Sequence, residues 1–161
     1  MQNKYYTPDL EDLRIGYEFE FYQGYSSESD YKPNTENEKE EYWKKDIFTK
    51  DDALSHNDYN AGYFAELIKD TERGYIRVPY LTKEQIEKEG WQYPFTIDIS
   101  ILDRIELVKD IDNDRIILRY NIENKNLILQ QKYHKDTPIL FNGFCKSINE
   151  FRTIMKLLKI N

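Results

Sequence analysis

Aromatic and cationic side chains occur together around Trp43, and this is the arrangement in the sequence best suited to binding a ligand. Lys44 and Lys45 follow Trp43 directly, and Arg77 lies in a later apolar segment. An aromatic ring stacks on a nucleobase while a nearby cation holds a phosphate, so such a set can clamp a nucleotide or a short single strand. We therefore predict Trp43, Lys45 and Arg77 as binding residues. The alternative interpretation is a half-buried aromatic strand beside solvated lysines.

Two carboxylates, Glu18 and Glu20, lie two residues apart in an alternating segment. In a strand such residues share one face, with their carboxylates roughly 7 Å apart. The Gly-x-Glu-x-Glu pattern resembles the metal–nucleotide strand of carboxylate–amine ligases, which makes both glutamates candidate binding residues. Those enzymes also need a larger sheet, further carboxylates and basic phosphate-binding residues, and this chain does not supply the set. A solvent-facing strand surface is the interpretation that we favour.

The other candidates for catalysis or metal binding favour structural roles. Residues 110–114 begin like a calcium loop but lack the Gly and Glu that the loop needs further on, so we predict a hairpin turn. His56 and His134 have no neighbouring ligands at zinc spacing. Cys145 has no identifiable base, and we expect a buried structural thiol. Without a Gly-rich phosphate loop or a Gly-x-Ser-x-Gly motif, we predict no catalytic residue, no metal and no cofactor.

The composition indicates one small domain that lies outside membranes. The chain of 161 residues is 33% charged and 39% hydrophobic, with 14 Tyr, 8 Phe and 2 Trp to build an aromatic core. A net charge of −7 argues against binding to double-stranded nucleic acid, which needs clustered Lys and Arg. A single cysteine excludes an internal disulfide, and no apolar run approaches the ~20 residues of a membrane span. We therefore expect a cytoplasmic protein without a membrane partner.

An N-terminal strand pair is predicted on either side of a polar segment. Residues 15–21 alternate between apolar and polar side chains, with Ile15 at the start of the apolar face. Residues 42–48 are expected to pair back on this strand. The intervening segment, residues 24–41, is polar and acidic, so we expect a mobile loop that buries little apolar surface.

Short helical and extended segments are predicted next. Residues 61–71 have apolar side chains at helical spacing, and residues 75–80 are extended, with Pro79 at a strand end or a sheet edge. Thr82 and Gln85 have the spacing of a capping box, which predicts the start of another short helix.

The C-terminal half is predicted to be an antiparallel meander that a helix closes. Four apolar segments alternate with Asn- and Asp-rich turns, at residues 104–109, 115–120, 127–133 and 139–144. Residues 147–150 form a second capping box, and Phe151 lies in the apolar stripe of the final helix. The predicted fold class is α+β: an antiparallel β-meander packed against a C-terminal helix, with an N-terminal strand pair and short helices, in one compact domain of residues 1–161.

The chain resembles a family of small uncharacterised proteins carried by phages and prophages of Bacteroides-type bacteria. The shared features are Tyr-Thr-Pro at residues 6–8, an acidic–apolar turn, and a Gly-aromatic-Glu-aromatic-Glu strand at residues 16–20. The order of Trp91, meander, Phe-x-Gly at residues 141–143 and closing helix is similar as well. The resemblance implies a phage or prophage origin, with the cytosol of a bacterial host as the expected location and the virion as the alternative, and it implies no activity.

Three functions follow as hypotheses. We expect a non-catalytic, phage-encoded interaction protein that inhibits or modulates a host protein, for example a defence protein. The alternative is a ligand-sequestering protein that holds a nucleotide signal in a dry pocket, often at the subunit interface of a homo-oligomer. A small nucleotide-directed enzyme is the second alternative.

Overall fold

The chain divides into two compact units, Met1–Pro79 and Tyr80–Asn161, which we call the N-terminal and C-terminal units. The computed structural model describes residues 4–9, 12–23, 42–49, 69–94, 104–112, 114–132 and 137–160. The acidic segment at 24–41, both histidines and most of the helix predicted at 61–71 lie outside these residues, while residues 69–71 are helical. Each unit has its own buried apolar core. That the two units make up one domain stays a prediction.

A four-stranded antiparallel sheet forms the N-terminal unit. Its strands are β1 (Tyr5–Tyr6), β2 (Glu18–Tyr22), β3 (Trp43–Ile47) and β4 (Ile76–Pro79). The order across the sheet is β1-β4-β2-β3. The predicted strand pair is confirmed as β2 and β3. β4 extends the pair because it lies between β1 and β2, and Pro79 stands at its end as expected.

One face of this sheet carries the apolar core of the N-terminal unit. The buried residues of that core are Tyr17, Phe19, Phe48, Ile76 and Val78. The predicted start of the first strand is wrong, because residues 15–16 form a turn and Ile15 is exposed. Gly16 adopts φ +86° in this turn and donates its N–H to the Phe48 carbonyl, which directs the chain into β2.

The C-terminal unit is the predicted meander. Its elements are α1 (Lys83–Lys88), β5 (Arg104–Ile111), β6 (Asp114–Asn121), β7 (Asn126–Lys132), β8 (Ile139–Phe144) and α2 (Ile148–Leu158). The four strands pair antiparallel in the order β5-β6-β7-β8. The hairpin predicted at residues 110–114 is confirmed, and Asp112 adopts φ +52° in its turn. The α+β fold class is confirmed as well.

Both helices begin at the predicted caps. Thr82 and Gln85 form the complete capping box of α1. Ser147 accepts the Glu150 N–H at the start of α2, and the Glu150 carboxylate accepts the Lys146 N–H at 2.6 Å. Phe151 is fully buried and its ring lies 6.2 Å from that of Trp91, so α2 closes this core. Among the described residues, no helix is long and apolar enough to cross a membrane.

Candidate functional site

The face of the N-terminal sheet opposite its core carries a row of four interacting side chains. We call this row the arginine cluster; its members are Tyr5, Glu20, Trp43 and Arg77. Each of the four strands supplies one member: β1, β2, β3 and β4, respectively. Glu20 and Arg77 are direct partners in the β2–β4 register. The cluster therefore runs across the whole width of the sheet.

The guanidinium of Arg77 is the centre of the cluster. Its Nε donates to Glu20 Oε2 at 2.9 Å, and its Nη2 lies 2.9 Å from the same oxygen. Its Cζ lies 3.5 Å from the ring centroid of Tyr5 and 4.0 Å from that of Trp43, within cation–π range on both sides. Glu20 is 7% exposed and Arg77 5% exposed. The pair is buried, and each charge is compensated by the other.

The prediction that Glu18 and Glu20 share a solvated face is wrong for Glu20. An isolated carboxylate is costly to bury, but Arg77 lies directly opposite and neutralises it. Glu18 is half-buried. The carboxylate of Glu20 is thus bound by a cation of the protein itself, at a position where a ligase-like strand would hold a metal.

The structure brings Trp43 and Arg77 together, as predicted, and places Lys45 beside them. Lys45 is exposed and lies opposite Glu20 in the β2–β3 register. Trp43 itself is buried, with Arg77 against its ring and the Tyr22 ring 5.4 Å away. Its indole Nε1 has no hydrogen-bond acceptor within the described part of the chain. Arg77 occupies the position on the Trp43 ring where a ligand would stack, and binding by these residues stays a prediction.

Cys145 is a buried thiol, as expected. Its side chain is 0% exposed, and burial raises the pKa of the thiol, with a further contribution from the Glu150 carboxylate. Its Sγ lies 3.8 Å from the Ser147 carbonyl, in the geometry of a weak S–H hydrogen bond. A nucleophile requires the thiolate, so this environment suits packing rather than catalysis.

The acidic hairpin between β5 and β6 is held by an ion pair. Arg115 donates to both carboxylate oxygens of Asp110, at 2.6 and 3.0 Å. The hydrogen bond from Arg115 lowers the pKa of Asp110. Within the ranges that the structure describes, no group of three or more His, Cys, Asp or Glu side chains is placed to hold a metal ion.

The edges of the N-terminal sheet carry features that discourage pairing with another chain. Its outer strands are β1 and β3. β1 is only two residues long. β3 has charged residues at three of its five positions, Lys44, Lys45 and Asp46, and all three are exposed. Short edge strands and edge charges both prevent edge-to-edge association.

The two edges of the C-terminal sheet differ from each other. β5 carries four charged residues in eight, Arg104, Glu106, Lys109 and Asp110, and Gln92 bridges to its Val108. β8, at the opposite edge, has the sequence Ile-Leu-Phe-Asn-Gly-Phe and carries no charge. Its Ile139 is 59% exposed and its Phe144 is 73% exposed. No further strand pairs with β8 among the residues that the structure describes.

A cleft in the C-terminal unit gathers basic side chains. We call it the cationic cleft; its volume is about 480 Å³, and it is lined by Lys109, Arg152, Lys156, Lys159 and Glu89, above a mainly apolar floor. Sequence reasoning missed both this cleft and the β8 edge. The spacing of Arg152, Lys156 and Lys159 was a helical signal for a basic face. Lys109 lies far away in sequence, and only the fold brings it to this face.

Comparisons of the chain with protein-family models, with curated proteins and with solved structures found no match.

Proposed function

We propose that this is a non-catalytic interaction protein that binds an extended segment of a partner protein along β8. The observation that carries the proposal is the contrast among the sheet edges. β1 is short, β3 and β5 are charged, and β8 alone of these four edge strands is both six residues long and uncharged. An edge without charges is a liability for a free protein, which favours a binding role for β8.

The backbone of β8 is arranged to accept another strand. The bulge against β7 falls at Leu140, near the beginning of the strand, and leaves residues 141–144 in regular register. The Cys145 N–H donates to the Lys125 carbonyl, on the β7 side. Because successive amides of a strand face opposite edges, those of Asn142 and Phe144 face away from β7. These two residues offer the hydrogen bonds that a docking strand would use.

The side chains of β8 favour an apolar partner segment. Phe144 and Ile139 expose most of their surface, and burying such side chains contributes about 25 cal/mol per Å² of apolar area. Gly143 leaves room for the Phe141 ring, since a Cβ at this glycine would stand 3.0 Å from that ring. Backbone hydrogen bonds would supply affinity, and contacts with the exposed Phe144 and Ile139 side chains would supply selectivity.

Two side chains that could take part in catalysis have structural roles instead, which supports a non-catalytic function. The Glu20 carboxylate is bound to Arg77, and Cys145 is a buried thiol with a raised pKa. The resemblance of the chain's start to phage proteins suggests the partner's source. We therefore propose that the partner is a protein of the bacterial host, for example a defence protein, and that binding along β8 inhibits or modulates it.

The test is capture of a partner from host lysate by immobilised wild-type protein and by Phe144→Lys. A lysine at this exposed position places a charge on the edge without disturbing the core. The control is Leu157→Lys, since Leu157 is 77% exposed on α2 and makes the same change of charge away from β8. We expect Phe144→Lys alone to lose the partner, with thermal unfolding unchanged in both variants.

Equal capture by the three proteins would refute the edge as the binding surface. A second copy of the chain is the alternative partner that could pair with the uncharged β8 edge. If wild type is a dimer in solution by light scattering and Phe144→Lys is a monomer, the edge joins two copies and the hetero-partner proposal is wrong.

A further inference from the structure

We infer that the cationic cleft of the C-terminal unit is a binding site for a small ligand that carries two or more phosphates. This inference is independent of the strand docking at β8. Among the residues that the structure describes, four cationic side chains and one carboxylate line the cleft, in a protein whose net charge is −7. Basic residues concentrated against the overall charge create a local positive potential, and a cleft focuses that potential on an anion.

The cations fall into two pairs. Arg152 Nε donates to Glu89 Oε1 at 2.8 Å, and Lys109 Nζ donates to the Glu89 carbonyl at 3.2 Å. These contacts fix Arg152 and Lys109 at the rim. Lys156 and Lys159 are exposed and make no ion pair with any residue that the structure describes. Among the described lining residues, the one carboxylate is therefore already paired, and the two lysines remain available to a ligand.

The floor of the cleft is apolar. Trp91, Met155 and Ile160 line it, and each is largely buried. Low-dielectric material below the charges strengthens their attraction for an anion. The indole Nε1 of Trp91 is buried and has no acceptor within the described residues. This donor lies beneath the surface of the floor, and the described residues leave it unpaired.

Lys159 stands at a position where glycine is preferred. It ends α2 with φ +57°, and the next residue, Ile160, donates its N–H to the Met155 carbonyl. This is the left-handed helix end that glycine adopts without steric cost. Lys125, which also has a positive φ, packs its ammonium over the Tyr80 ring and donates to the Ile122 carbonyl. Lys159 contributes a charge to the cleft at the expense of backbone strain.

The ligand class follows from charge and size. Four cations spread around about 480 Å³ match a chain of phosphates better than a single anion, and this volume lies in the range of small-molecule sites. Lysine ammonium groups bind phosphate as point charges, without a fixed fork geometry. A free polyphosphate and a nucleotide present the same phosphate chain, and the experiment distinguishes them.

The test is calorimetric titration of the full chain with tripolyphosphate, ATP and inorganic phosphate in metal-free buffer. We expect both polyphosphates to bind more tightly than inorganic phosphate. The double variant Lys156→Gln/Lys159→Gln should weaken binding about tenfold or more. The control, Lys69→Gln/Lys132→Gln, removes two exposed lysines that do not line the cleft and should bind like wild type.

A second variant separates binding from folding. Lys159→Gly relaxes the helix end, so it should raise the melting temperature while it weakens polyphosphate binding. Equal affinity for tripolyphosphate and ATP would show that the cleft recognises the phosphates alone. Tighter binding of ATP would show that the protein also contacts the nucleoside. Failure of both polyphosphates to bind, or equal loss in the two double variants, would overturn the inference. Phe144→Lys should leave the titration unchanged, so the two proposals fail separately.

Discussion

Arg77 and Glu20 are direct partners across the sheet of the N-terminal unit and form a buried ion pair with both nitrogen contacts at 2.9 Å. The rings of Tyr5 and Trp43 extend this pair to the outer strands. A slip of one residue in any strand would move its member of the cluster to the opposite face of the sheet. The ion pair therefore favours the observed register of β2 against β4.

Breaking this pair on one side should destabilise the protein strongly. Arg77→Met leaves Glu20 buried without its partner and should lower the free energy of unfolding by about 3–5 kcal/mol. Glu20→Met/Arg77→Met removes both charges and should recover most of the loss. Urea unfolding of wild type, Arg77→Met, Glu20→Met and the double variant measures the coupling free energy of the pair in a double-mutant cycle.

The matched control for that cycle is the exposed ion pair of the β5–β6 hairpin. Arg115→Met makes the same substitution in the pair with Asp110, where solvent screens both charges. It should leave the urea midpoint almost unchanged. Equal effects of Arg77→Met and Arg115→Met would contradict the burial of the Arg77–Glu20 pair.

Truncation of Phe151 should disrupt the core of the C-terminal unit. The side chain is fully buried and contacts Trp91, so Phe151→Ala should cost about 3–5 kcal/mol in unfolding free energy. Leu157→Ala, on the exposed side of the same helix, is the control and should have little effect. A Phe151→Ala protein that melts with wild type would show that α2 does not close this core.

The thiol of Cys145 should react slowly in the folded protein. Burial raises its pKa, so at neutral and mildly alkaline pH the group stays protonated and inaccessible. A thiol reagent followed by absorbance should modify it at a rate that rises with added urea. If Cys145 in the native protein is modified as fast as free cysteine, the thiol is accessible. That result would contradict a structural role and would make Cys145 a candidate nucleophile again.

Much of the fold could be predicted from the sequence because its signals are local. Alternating apolar residues and Asn- or Asp-containing turns predicted the meander, and Asp112 adopts the positive φ that such a turn needs. Thr82 and Ser147 begin α1 and α2 as their capping patterns indicated. The apolar stripe of α2 predicted that Phe151 would be buried.

The candidate sites were harder to predict because they depend on pairs distant in sequence. Glu20 looked solvent-facing by alternation, and its burial depends on Arg77, 57 residues away. Lys109 joins the basic face of α2 only through the packing of β5 and the helix. Ile15 fits the alternating pattern of the first strand, but it lies outside the sheet because the chain turns at Gly16. The exposed state of β8 required the strand order, which sequence patterning does not provide.

The most direct test of the central claim, that β8 accepts a partner strand, is amide hydrogen exchange followed by NMR. In the free protein the amides of Asn142 and Phe144 should exchange quickly because they face away from β7, whereas the Cys145 amide should be protected by the Lys125 carbonyl. With the captured partner bound, the amides of Asn142 and Phe144 should become protected. Saturation by the partner with no change at these two amides would show that binding occurs elsewhere and would contradict the proposed function.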